Sequence, residues 1–75
     1  MPRDLSIEIL AEMVANVLEV QVAVGAQIAV GDEVVLMESM KMEIPVIAEV
    51  AGTVVAVKVA PGDVVQEGTV LVTLL

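Results

Sequence analysis

The sequence contains no cysteine, no histidine and no aromatic residue, and these absences exclude several kinds of site. Without cysteine or histidine there is no thiol nucleophile, no serine–histidine catalysis and no ordinary zinc centre. Without Phe, Tyr or Trp there is no ring on which a base or a sugar can stack. We therefore expect neither a catalytic residue nor a metal site in this chain.

Positive charge is also scarce. Only Arg3, Lys41 and Lys58 are basic, against 11 acidic residues, so the net charge is −8. Such a chain repels nucleic acids and anionic membranes, and we expect neither as a partner. The longest uncharged run, Val20 to Gly31, has 12 residues and is too short to span a bilayer. The N-terminus lacks an apolar signal-peptide core, and the absence of cysteine removes any disulfide evidence for secretion, so we expect a cytoplasmic protein.

Valine dominates what is present. The chain has 75 residues, 59% of them hydrophobic, and 18 of them are valine. Valine is stiff at χ1 and favours half-buried strands. A chain of this length is sufficient for one domain and not for two. The composition therefore predicts a single all-β domain over residues 1–75, with thin, closely packed sheets.

An internal repeat organises the chain, because a shift of 37 positions aligns its two halves without a gap. Related halves that are each too small to bury an apolar face predict two small sheets packed face to face about a pseudo-twofold axis. The matched pairs are Ile7 with Ile44, Ala11 with Ala48, Glu12 with Glu49, Val17 with Val54, Val20 with Val57, Val22 with Val59, Gly25 with Gly62, Gly31 with Gly68 and Val35 with Val72.

Alternating valines and turn residues predict the strands within each half. One stretch is ambiguous, because the apolar residues from Ile7 to Leu18 also fit a helical face. Its repeat partner, Ile44 to Gly52, contains Pro45 and Gly52, which a helix interior tolerates poorly, so we predict strands in both. The other predicted strands are 17–24, 26–30 and 32–38 in the first half, and 55–59, 64–65 and 69–75 in the second.

The two halves meet in a segment with an unusual composition. Ser39-Met40-Lys41-Met42 lies between two apolar strands and is short enough to be a hairpin turn. Turns favour Gly, Asn, Asp or Pro, and exposed methionines there gain nothing for folding. A lone lysine in a turn is usually only solvated, and methionine often fills a core. If both methionines were core residues, however, this hairpin would lie inside the fold, so we interpret the mismatch as functional.

The segment Glu38-Ser39-Met40-Lys41-Met42 resembles the Glu-Ala-Met-Lys-Met motif of biotinyl domains, found in biotin carboxyl carrier proteins and biotin-dependent carboxylases. The resemblance implies the biotinyl/lipoyl fold, a flattened barrel or sandwich of two four-stranded antiparallel sheets. It extends over nearly the whole chain and is closest to the single-domain members. The further similar segments are 11–17, Gly31-Asp32, 51–54 and 62–68.

The same resemblance implies that biotin is attached covalently to Lys41. An ordinary lysine is protonated at pH 7, and no residue type in this chain activates it, so a separate biotin–protein ligase must form the amide. Met40 and Met42 then contribute to recognition by the ligase or to the transfer reactions. For Glu38 and Glu43, ligase contact and simple solvation are both open, and solvation is slightly favoured.

The implied function is that of a biotin carboxyl carrier. In the family, such a domain moves a carboxyl group between the biotin carboxylase and the carboxyltransferase of an acyl-CoA carboxylase, for example the acetyl-CoA carboxylase of fatty acid biosynthesis. The domain itself is not an enzyme. Two alternatives stay open: a lipoyl domain, which shares the fold but typically has Asp-Lys-Ala at the lysine, and an unmodified interaction module.

Three positions depart from the family pattern. Ser39 replaces Ala, Ala15 stands where the family and the repeat partner Gly52 have Gly, and Glu12 stands where Pro is usual. These changes affect local turn geometry and stability rather than the attachment chemistry. The gapless repeat also leaves no room for the protruding thumb insertion that some members carry.

Overall fold

The structure, a computed structural model, describes residues 6–75, so the part of the predicted domain at residues 1–5 lies outside the described residues. Within residues 6–75 there is no helix, and hence none long and apolar enough to cross a membrane. The strands are β1 (Ile7–Leu10), β2 (Ala15–Val20), β3 (Gln27–Ile28), β4 (Glu33–Ser39), β5 (Met42–Ile47), β6 (Gly52–Val57), β7 (Val64–Val65) and β8 (Val70–Leu74).

The strands form two four-stranded antiparallel sheets, ordered β1-β8-β6-β3 and β5-β4-β2-β7. The predicted fold class is confirmed. A shift of 37 residues carries the strands of one sheet onto those of the other. Hydrogen bonds repeat in the same way: the Gly25 N–H donates to the Val54 carbonyl and the Gly62 N–H donates to the Val17 carbonyl, both at 2.8 Å. The sequence repeat is therefore a pseudo-twofold relation between the sheets.

The core lies between the sheets and is built from aliphatic side chains, with no buried polar residue in the described range. Repeat partners occupy equivalent core positions, as Val34 and Leu71 do, both with no exposed surface. Small, branched side chains let two sheets pack closely. The fully buried larger side chains are Val17, Val34, Val35, Met37, Val54, Val65, Leu71, Val72 and Leu74.

The predicted strands over Ile7–Leu18 and Ile44–Gly52 are each divided in the structure. In both, the chain leaves one sheet and enters the other, and a buried alanine marks the crossing. The Ala11 N–H donates to the Thr69 carbonyl at 2.9 Å, and the Ala48 N–H donates to the Asp32 carbonyl at 2.8 Å. Apolar residues therefore continue through the crossing, which is why the pattern alone did not reveal the break.

Candidate functional site

The hairpin between β4 and β5 holds Met40 and Lys41 in its two-residue loop, closed by the pair of Ser39 and Met42. The φ angles of Met40 and Lys41 are 53° and 66°, the only positive values at residues other than glycine within 6–75. Two positive φ values are the feature of a type I′ turn, which normally uses Asn-Gly. Left-handed φ costs a residue with a side chain about 1–2 kcal/mol. Strain of this kind is typical of functional sites.

The side chains of this loop project into solvent. Met40 is 91% exposed and Met42 is 66% exposed, so neither is a core residue. Lys41 is also exposed, and the residues from 6 to 75 supply no ion-pair partner for its ammonium group. The lysine therefore extends from one end of the molecule with its amine accessible.

Two carboxylates lie in the residue pair that follows the closing pair of the loop. Glu38 and Glu43 are directly paired across β4 and β5; Glu38 is half-buried and Glu43 is exposed. Like charges that face each other across a ladder destabilise it slightly. Folding does not account for this pair, and its position behind Lys41 fits either of the roles expected for it, solvation or contact with an enzyme.

The positions that depart from the family pattern lie in ordered surroundings. Ala15 is buried at the start of β2, opposite Val65 of β7. Its repeat partner Gly52 has less room, because an added Cβ would lie 3.1 Å from the Leu74 Cβ. Glu12 is exposed in the connection from β1 to β2. The connection after β2 covers residues 21–26, as short as its equivalent at 58–63, so the described chain has no thumb.

An exposed primary amine at the apex of a hairpin can form an amide with a carboxylic acid that another protein delivers in activated form. The loop contributes no acid, base or second nucleophile beside the amine. The residues present therefore fit a covalently attached acid such as biotin, with Lys41 as the attachment point.

Comparison with known proteins identifies the family. The sequence profile described as "Biotin-requiring enzyme" matches residues 7–74. The chain belongs to this family. The resemblance to biotinyl domains is thus confirmed, and so is covalent biotin as the cofactor of the family. The chain has the architecture of a biotin carrier domain.

Relatives of similar length bear biotin in their names. The "Biotinylated protein TB7.3 homolog" of Mycobacterium leprae is 55% identical over 67 residues, which cover 89% of this chain and 94% of the relative. The "Biotin/lipoyl attachment protein" of Bacillus subtilis is 49% identical over 63 residues, covering 84% of this chain and 86% of the relative. The chain therefore spans most of the length of these small proteins.

Among solved structures, a single-chain, multi-domain long-chain acyl-CoA carboxylase superimposes with a TM-score of 0.88. The match is 32% identical and covers 97% of this chain, but only 7% of the carboxylase. The similarity therefore concerns one domain of a much larger enzyme.

Proposed function

We propose that Lys41 is biotinylated by a biotin–protein ligase, and that the domain then carries a carboxyl group between the biotin carboxylase and the carboxyltransferase of an acyl-CoA carboxylase. The observation that supports this proposal is the loop itself. Lys41 lies in a strained two-residue loop with an exposed methionine on either side, and folding accounts for none of these features.

The residues of this chain supply position rather than catalysis. Lys41 places its amine at the end of a flexible side chain, and the β4–β5 ladder fixes the base of that side chain. Biotin, when bound, accepts and donates the carboxyl group. A tether of this kind keeps the group at high local concentration near two active sites of the partner proteins. Met40 and Met42 are the neighbours that an enzyme contacts when it surrounds Lys41.

Lysine modification tests the proposal directly. The purified protein is incubated with biotin–protein ligase, biotin and ATP, and its intact mass is measured. We expect one biotinyl group on the wild type and none on Lys41→Arg. Lys58→Arg is the matched control: Lys58 is the other lysine and is also exposed, but it lies after β6, where its N–H donates to the Leu71 carbonyl at 2.9 Å.

A parallel incubation with a lipoate–protein ligase and lipoate separates the alternatives. Biotinylation without lipoylation supports the proposal, and lipoylation alone would establish a lipoyl domain. A folded wild type that accepts neither group would establish the unmodified interaction module. Modification that persists in Lys41→Arg and disappears in Lys58→Arg would show that the attachment site is wrong.

A further inference from the structure

We propose that Val14, Met40 and Val64 form an apolar patch beside Lys41, and that biotin–protein ligase binds this tip patch when it modifies the lysine. The inference rests on the proposed function and adds two residues that lie outside the hairpin. Both are distant from Lys41 in the sequence: Val14 directly precedes β2, which pairs with β4 of the hairpin, and Val64 is in β7, on the other side of β2.

Strand register places the three residues at one end of the sheet. Asn16 of β2 pairs with Glu38 of β4 on one side and with Val64 of β7 on the other. Residues paired across strands share a face of the sheet, so Val64 lies on the outer face with Asn16. Val14 is exposed in the bend directly before β2, at the end of β2 where Asn16 pairs with Val64. Because Asn16 pairs with Glu38, two residues before Met40, Val14 and Met40 lie at the same end of the sheet.

The patch is open to solvent. Val14 is 61% exposed, Val64 is 68% exposed and Met40 is 91% exposed. Their inward-facing neighbours Ala15 and Val65 are buried, so the core is already closed beneath them. Single exposed apolar side chains are common on protein surfaces, but three at the one end that carries a reactive group favour an interaction site there.

The repeat provides an internal comparison. The positions equivalent to Val14 and Val64 in the other half are Ala51 and Gln27, both exposed. The repeat gives these residues equivalent places in the fold, so the fold does not require a large apolar residue at either position. Only the end that carries Lys41 has valine at both.

Ligase is the partner that the location favours. An enzyme that forms an amide on Lys41 must bring its active site within one lysine side chain of the loop, so it covers the residues beside Met40. Burying exposed apolar surface there favours the complex. Glu38 and Glu43 border the patch in the same row of the sheet. The complementary surface is therefore apolar, with basic residues facing this pair.

The test compares two double variants by their biotinylation kinetics. Val14→Thr with Val64→Thr keeps the side-chain shape and the β-branching while adding a hydroxyl group to each residue. We expect the KM of the ligase for this variant to rise about tenfold, with kcat unchanged. The matched control is Val24→Thr with Val30→Thr, because these valines are 66% and 67% exposed. Both lie beyond the ends of β2 and β3 that are distant from the hairpin, and we expect the KM of the wild type.

Urea unfolding confirms that both variants are folded as the wild type is. An unchanged KM in the tip-patch variant, or an equal rise in the control variant, would overturn the inference. A fall in kcat at constant KM would overturn it as well, because the patch would then act on the reaction step rather than on docking. A wild type that is not biotinylated at all would instead contradict the proposed function, so the two failures are distinguishable.

Discussion

At the scale of single residues, the least ordinary feature is the backbone of Met40 and Lys41. Both have the left-handed φ that glycine and asparagine tolerate, and both carry long side chains there. A hairpin can hold such a loop because the β4–β5 ladder extends behind it without interruption from Val35 to Ser39. The strained loop thus lowers the stability of the fold, but it places the lysine at the apex of the hairpin.

Replacing Met40 by glycine should relieve this strain. We expect Met40→Gly to raise the free energy of unfolding by about 1 kcal/mol, because glycine adopts positive φ without a steric penalty. Met42→Gly is the control, since Met42 is a strand residue, and we expect it to lower stability by about 0.5–1 kcal/mol. Urea denaturation measures both. If Met40→Gly destabilised the protein as much as Met42→Gly does, the loop would not be strained.

The candidate site could be predicted in part from single residues. The conflict between Met-Lys-Met and ordinary turn composition indicated Lys41 and its exposed neighbours without any structure. The positive φ values could not be predicted, because no glycine or asparagine marks them. Val14 was also missed as a surface residue, because its place at the hairpin end of the sheet depends on the pairing of β2 with β4, which no local pattern contains.

At the scale of elements, the repeat was a better guide than local periodicity. The predicted strand at 64–65 coincides with β7, and the helical interpretation of Ile7–Leu18 is excluded in favour of strands. The predicted strand at 17–24 ends early, at Val20, because the chain then turns toward the other sheet. Alternation shows which residues are apolar, but the point of crossing depends on tertiary hydrogen bonds.

The turns that follow β2 and β6 should respond alike to mutation. Gly25 and Gly62 both have φ of 96°, and neither has an atom within 4 Å of an added Cβ. A side chain there meets no clash, so its cost is the backbone strain alone, about 1–2 kcal/mol. We expect Gly25→Ala and Gly62→Ala to lower the free energy of unfolding equally, in urea titrations. Val24→Ala, an exposed neighbour, should stay within about 0.5 kcal/mol of wild type. A clear inequality between the two glycine variants would contradict the equivalence of the turns.

At the scale of the whole molecule, the two halves are interleaved rather than side by side. The sheet β1-β8-β6-β3 takes its two edge strands from the first half and its two central strands from the second. The other sheet, β5-β4-β2-β7, has the reverse arrangement. Neither half can form a complete sheet by itself, although each contains four strands. The repeat in the sequence is therefore not a repeat of independent folding units.

This interleaving predicts that the domain unfolds as one unit. The Val17 N–H donates to the Asp63 carbonyl and the Val54 N–H donates to the Ala26 carbonyl, both at 2.8 Å, so each amide depends on the other half. In native-state hydrogen exchange we expect both amides to exchange only by global opening, with the free energy found in urea denaturation. The exposed Lys41 amide in the loop should exchange far faster and serves as the control. Peptides 1–40 and 41–75 should each be unfolded in isolation, because each keeps only the two central strands of one sheet and lacks both of its edge strands. If one of the two buried amides exchanged through an opening of lower free energy, or if either peptide folded alone, the halves would be separable. The two halves would then not share one core.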